Sequence, residues 1–190
     1  MTGDEMVQVL RESGAMLDGH FLLSSGMHSG QYVEKFRLLE RPDLTERCCA
    51  ELARRFAKDK PEVVIGPTTV GVIVAYETAR HLGVPGVFAE REGDRRVLRR
   101  GFDIRPGQRV LLVDDVMTRG GSVREMLSLM EDCGADLVGI GLLVDRSPEP
   151  VDFGVRTEAL CRLSIDAYDA SECPLCKAGA PLTERGSRHL

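Results

Sequence analysis

The run Val110-Leu111-Leu112-Val113-Asp114-Asp115-Val116-Met117-Thr118-Arg119-Gly120-Gly121-Ser122 decides how the rest of the chain is read. Four consecutive apolar residues predict a strand buried on both faces, as in a helix-covered parallel sheet. Two carboxylates stand at its C-terminal end, where such sheets bind their ligands. A turn of small residues then opens into a helix with Val123, Met126, Leu127 and Met130 on one stripe. Glycines let backbone N–H groups close on a phosphate, and the helix N-terminus adds a positive dipole. Adjacent carboxylates suit sugar hydroxyls or a hydrated magnesium ion. A phosphorylated sugar satisfies all of these groups together.

Outward from this run, strand and helix alternate. Helices are expected over 4–14, 43–58 and 70–82, the last stopped by Gly83 and Pro85. Val63-Val64-Ile65 reads as a buried strand, Val87-Phe88 begins another, and Leu137 to Val144 is a continuous apolar strand followed by Asp145-Arg146. A further short strand is expected within 159–165. The fold class is therefore α/β, a central parallel sheet flanked by helices. A single domain over 1–190 is expected, its core at about 41–165, with a small N-terminal segment (about 1–40) and a C-terminal tail (about 166–190).

No apolar run approaches the roughly 20 residues of a membrane span, and the first residues carry Asp4, Glu5 and Arg11 where a signal peptide has an apolar core. A cytoplasmic location and no membrane partner follow by default. A net charge of −5 argues against nucleic acid as a partner. The six cysteines are scattered through helical and strand patterns, which favours a reduced chain over a disulfide framework. Cys173-Pro174-Leu175-Cys176 has the spacing of half a zinc site or of a redox pair. No second pair follows and His189 is the one histidine nearby, so a structural or incidental role is expected.

The opening run resembles the phosphoribosyl-diphosphate (PRPP) signature of the type I phosphoribosyltransferases, a strand, two acids and a Thr-x-Gly-x-Ser/Thr loop. The stretch Gly14-Ala15-Met16-Leu17-Asp18-Gly19-His20-Phe21-Leu22-Leu23-Ser24-Ser25-Gly26-Met27-His28-Ser29, with Tyr32 beyond it, resembles the start of the orotate phosphoribosyltransferases. Val64-Ile65-Gly66-Pro67, Phe88-Ala89-Glu90 and Val144-Asp145-Arg146 match that family in the same order. The resemblance covers about residues 5–147.

It implies the type I phosphoribosyltransferase fold, with the N-terminal segment as a hood over the acceptor base. It also implies transfer of a 5-phosphoribosyl group from PRPP to orotate, giving orotidine 5′-monophosphate and pyrophosphate in pyrimidine biosynthesis. Carried over by position, Asp114 and Asp115 hold the ribose hydroxyls and orient the water shell of Mg2+, with no direct protein ligand to the metal assigned. Val116, Met117, Thr118, Arg119, Gly120, Gly121 and Ser122 wrap the 5′-phosphate. Thr68 and Thr69 meet the pyrophosphate. Thr118, Arg146, Tyr32 and Ser25 face orotate, a planar acid that a guanidinium fork suits. The resemblance further implies a homodimer with shared active sites.

The stretch from Arg91 to Arg100 holds five arginines and neither Lys nor His, where relatives often carry both. Arg91, also assigned a catalytic role, and Arg95 are expected to clamp pyrophosphate. The competing readings are a solvated hairpin of salt-bridged arginines and a nucleic-acid patch. Arginine does not readily release a proton, so a general-acid role for this segment is not expected. Two other functions stay open at this point: the same fold acting on another base, or a non-catalytic sensor of PRPP or a nucleotide.

Overall fold

The structure is a computed structural model that describes residues 1–23 and 25–184; Ser24 and His189 lie outside these. In chain order, α1 (Gly3–Glu12) leads into the antiparallel hairpin β1 (Met16–Leu22) and β2 (His28–Val33). The short α2 (Lys35–Leu39) and the long α3 (Pro42–Phe56) follow, then β3 (Val63–Pro67), α4 (Gly71–Leu82), β4 (Gly86–Glu92) and β5 (Arg95–Leu98). The signature strand is β6 (Arg109–Met117), its helix α5 (Gly121–Cys133), and the next strands β7 (Asp136–Asp145) and β8 (Thr157–Arg162). The tail adds β9 (Ala167–Tyr168), α6 (Pro174–Lys177) and β10 (Thr183–Glu184).

Six strands form the core sheet in the order β5-β4-β3-β6-β7-β8, all parallel to their neighbours except β5, which runs antiparallel to β4. Leu111 and Val113 of β6 point to one face and join the apolar cluster built by α1, α3 and α4. Val110 and Leu112 point to the other, where Val123, Met126, Leu129 and Met130 of α5 cover them. Burial on both faces is why these strands read as unbroken apolar runs. Beneath the sheet edge, Glu51 of α3 gathers the amino terminus of Met1 (3.2 Å), Arg54 (2.7 Å) and Arg55 (2.9 Å). Those donors hold its carboxyl down at about 2.

From β3 the chain moves outward to β4 on one side, and later to β6 and β7 on the other. The order therefore reverses between β3 and β6, and ligands collect at such a switch point, outside the strands' C-terminal ends. A close approach prepares it: a Cβ on Gly66 would sit 2.2 Å from the Gly71 carbonyl oxygen, so glycine lets α4 begin tight against the end of β3.

A second sheet, ordered β10-β1-β2-β9, forms the hood. Apolar periodicity does not mark its strands, and its tail strands are two residues each. The hood brings His20 and His28 against the Cys173–Cys176 knuckle, which corrects the expectation that this pair lacks partner ligands.

Candidate functional site

The acid pair lies at the C-terminal end of β6, beside the reversal in strand order. Asp114 and Asp115 are 7% and 4% exposed. Burial, and then repulsion by the neighbouring Asp115, push the Asp114 carboxyl up to about 7. Asp114 Oδ1 accepts the backbone N–H of Asp115 at 2.9 Å. The other carboxylate is met by a residue that sequence reasoning missed: Lys35 Nζ, at the start of α2, stands 2.7 Å from Asp115 Oδ2. Nothing local to Lys35 reports that the hood turns back onto β6.

Immediately after the pair comes the turn Thr118-Arg119-Gly120, with Thr118 and Arg119 exposed. Gly120 caps α5 in the left-handed region (φ 72°) and no side chain caps the helix. The first-turn N–H groups of Gly121, Ser122 and Val123 therefore face outward as donors for an anion. Behind the turn, Arg124 donates to the Arg119 carbonyl at 2.7 Å and lies over the Phe153 ring, 5.5 Å from its centroid. A Cβ on Gly120 would meet Phe153 Cζ at 2.8 Å. Gly120→Ala is thus expected to destabilise the protein by about 1–2 kcal/mol through the left-handed backbone alone. Thermal unfolding checks this, and an unchanged midpoint would refute it.

Thr68 and Thr69 follow β3 directly. Its register with β6 pairs Ile65 with Leu112, and the Thr68 N–H donates to the Ala89 carbonyl of β4 at 2.9 Å. The arginine-rich segment is the β4–β5 hairpin, turned at Gly93 (φ 59°). Four of the segment's five arginines are paired with carboxylates: Arg91 and Arg96 with Glu125 of α5, Arg99 with Glu92, and Arg100 with Glu90 at 2.7 Å. Arg91 is half exposed and Arg95 is exposed. Arg96, which sequence reasoning did not single out, is partly buried and donates to both the carbonyl (3.2 Å) and the hydroxyl (3.3 Å) of Thr68. It fastens the hairpin to the loop after β3.

Arg146 follows β7, whose register with β6 pairs Asp145 with Met117, and the Arg146 N–H donates to the Met117 carbonyl at 2.8 Å. Its side chain therefore starts beside the Thr118 turn. Burial holds its guanidinium below the usual arginine range, partly offset by Tyr32 of β2. Its Nε is buried with no hydrogen-bond partner among the described residues. Tyr32 in turn packs at 5.7 Å on the ring of Phe21. Ser25 lies exposed on the β1–β2 turn, where its hydroxyl accepts the Met27 N–H at 3.4 Å. The structure thus gathers Asp114, Asp115, the Thr118–Ser122 turn, Thr68, Thr69, Arg146 and Tyr32 around the strand ends. It gives Ser25 a turn contact and places Arg91 and Arg95 on the hairpin.

Comparison with known proteins shows the family. Residues 39–153 match the phosphoribosyl transferase domain family. The chain is 52% identical over its full 190 residues to the whole of an orotate phosphoribosyltransferase from Pelotomaculum thermopropionicum. It is 46% identical over 183 residues, 96% of this chain and 98% of the other, to one from Thermotoga maritima. Among solved structures it is similar to the orotate phosphoribosyltransferase of Aeropyrum pernix, with a TM-score of 0.71 and 28% identity over 83% of this chain and 93% of that one.

Proposed function

Because the chain belongs to the phosphoribosyl transferase family and, within it, to the orotate phosphoribosyltransferases, we propose that the acid pair and the turn after it hold PRPP while Arg146 holds orotate. In the reaction a ring nitrogen of orotate bonds to the anomeric carbon as the bond to the pyrophosphate oxygen breaks, the nitrogen giving up its proton, so that orotidine 5′-monophosphate and pyrophosphate result. Positive charge gathers on the ribose in passing, so the site must hold anionic groups around it and keep water away.

The observation that carries this reading is a buried acid pair followed at once by an uncapped helix N-terminus. Asp114 and Asp115 accept the ribose hydroxyls. The N–H groups of Gly121 and Ser122, with the hydroxyls of Thr118 and Ser122, take the 5′-phosphate, and Val116, Met117, Arg119 and Gly120 supply the turn. Thr68 and Thr69 lie where the pyrophosphate leaves, with Arg91 and Arg95 on the hairpin above as its cationic surroundings. Thr118, Tyr32 and Ser25 complete the side that meets orotate.

Mg2+ fits this donor set, since two adjacent buried carboxylates with one raised to about 7 favour a nearby cation. Asp114 and Asp115 would orient its water shell, and the ion would supply charge neutralisation for the departing pyrophosphate. Association of two copies is part of the proposal, and Phe36, Ile73 and Tyr76 are large apolar side chains left exposed that a second copy could cover. Among the described residues no helix is long and apolar enough to cross a membrane.

The test is to mix the purified protein with orotate, PRPP and Mg2+ and follow orotate's ultraviolet absorbance. Loss of absorbance with release of pyrophosphate supports the reading. Tight PRPP binding with no loss of orotate would overturn it in favour of a sensor.

A further inference from the structure

Two histidines and two cysteines converge on the hood, and none of the four belongs to the site described above. His20 is on β1, His28 on β2, and Cys173 and Cys176 bracket the start of α6. His28 Nδ1 lies 3.0 Å from His20 Nε2. Cys173 Sγ and Cys176 Sγ lie 3.5 and 3.7 Å from that same nitrogen, and Cys176 Sγ lies 3.2 Å from His28 Nδ1. All four ligand atoms fall within 4.8 Å of one another. Both histidines and Cys173 are buried, and neither cysteine is in a disulfide.

We propose that His20, His28, Cys173 and Cys176 form a closed tetrahedral site for a structural zinc ion that clasps the C-terminal tail to the hood. Zn–S bonds of about 2.3 Å and Zn–N bonds of about 2.0–2.1 Å require tetrahedral edges of roughly 3.3 Å between nitrogens and 3.6 Å between nitrogen and sulfur. The N···S separations of 3.2–3.7 Å bracket the second edge, and the N···N separation of 3.0 Å is within a few tenths of an ångström of the first. The cysteine spacing, two residues between ligands, is also that of zinc knuckles. Two thiolates with two imidazoles in this geometry select zinc over magnesium or calcium, which take oxygen donors.

The outer contacts fit as well. His20 Nδ1 lies 2.9 Å from the Ala180 carbonyl oxygen, which can only accept, so Nδ1 carries the proton and Nε2 turns a bare lone pair toward the cluster. A simple hydrogen bond between the histidines would need no sulfur. Here both sulfurs crowd the nitrogen that such a bond would already occupy. Four protein ligands close the coordination shell, which marks a structural rather than a catalytic ion.

The fold explains what the ion does. β9 and β10 are two residues each and α6 is four, too short to stay docked by their own hydrogen bonds. The metal joins His28 to Cys176, 148 residues along the chain, and so holds the tail against the strands that lead to Tyr32 and Lys35.

The test uses the untagged full-length protein reconstituted with zinc under reducing conditions, its metal content measured by mass spectrometry after gel filtration. About one ion per chain is expected. Cys176→Ser, at an exposed position, should reduce bound zinc at least tenfold, and Asp115→Asn should leave it unchanged. Cobalt loaded in place of zinc should give the strong visible bands of a tetrahedral thiolate centre. A chelator should lower the unfolding midpoint by several degrees in the wild type and not in Cys176→Ser. Four results would overturn the proposal: no bound zinc after reconstitution, a six-coordinate cobalt spectrum, zinc lost in Asp115→Asn and kept in Cys176→Ser, or a Cys173–Cys176 disulfide that persists under reductant. None of these readouts depends on turnover, so failure of this site and failure of the catalytic reading are distinguishable.

Discussion

Replacing Asp114 with asparagine is expected to reduce turnover of orotate at least about a hundredfold while making the ligand-free protein more stable above neutral pH. Asp114 is 7% exposed and adjoins Asp115, which already has Lys35 at 2.7 Å. Its folded carboxyl titrates at about 7, against an ordinary value of 3.8. A carboxyl raised in this way contributes stability that is complete below the ordinary value and disappears as pH rises through the folded one. The ligand-free wild type should therefore lose stability between about pH 4 and 7 as the buried charge forms. Asparagine keeps the shape and forms no charge. The two proteins should have similar unfolding midpoints near pH 4, and the variant should lead by a growing margin up to pH 8. Substrate hydroxyls, however, need an anionic acceptor, so the same substitution removes what the reaction uses. Asp115→Asn is expected to match the loss of turnover. Orotate absorbance and thermal unfolding at pH 5 and pH 8 check both halves. Turnover within threefold of wild type, or a variant less stable than wild type at pH 8, would refute the account.

The parts of this site that the sequence made legible are those whose chemistry is local. β6 is an apolar run because both of its faces are covered, and the acids and turn follow within nine residues, so strand, charge and helix start are visible in one window. Val63-Val64-Ile65 and Leu137 to Val144 are legible for the same reason. The arginine hairpin is not. β4 runs on to Glu92 because its charges find partners across the turn and on α5, through Arg100 with Glu90, Arg99 with Glu92, and Arg91 and Arg96 with Glu125. Apolar periodicity carries no trace of that pairing. Arg96 differs from Arg95 only by the strand's alternation, which turns one toward Thr68 and the other to solvent. Lys35 and the histidine–cysteine cluster depend on contacts between residues far apart in the chain. The CxxC pair was visible, but its two histidines precede it by almost the whole chain, and a search of its neighbourhood meets only His189.

Arg146→Ala is expected to raise the orotate concentration for half-saturation and lower kcat/KM for orotate by about 10²- to 10³-fold, the usual loss when one side of a buried charge-assisted pair is removed. PRPP binding should change less than threefold. The half-buried guanidinium has its charge disfavoured by burial, and its Nε lacks an acceptor. A buried cation without a carboxylate partner is costly unless something anionic completes it. The position at the end of β7, beside the Thr118 turn and electrostatically coupled to Tyr32, puts that anion next to the sugar. Two consequences separate a substrate partner from a structural one. Removing a structural ion pair would lower the unfolding midpoint, whereas removing a cation whose charge burial disfavours should leave it unchanged or raise it in the ligand-free protein. Lysine at this position would restore the charge without the planar fork, so Arg146→Lys should recover only part of the loss. Steady-state kinetics with each substrate varied in turn, together with thermal unfolding, measure all of this. Equal losses toward orotate and PRPP, or a lower midpoint without ligand, would show that Arg146 holds the fold rather than the acceptor.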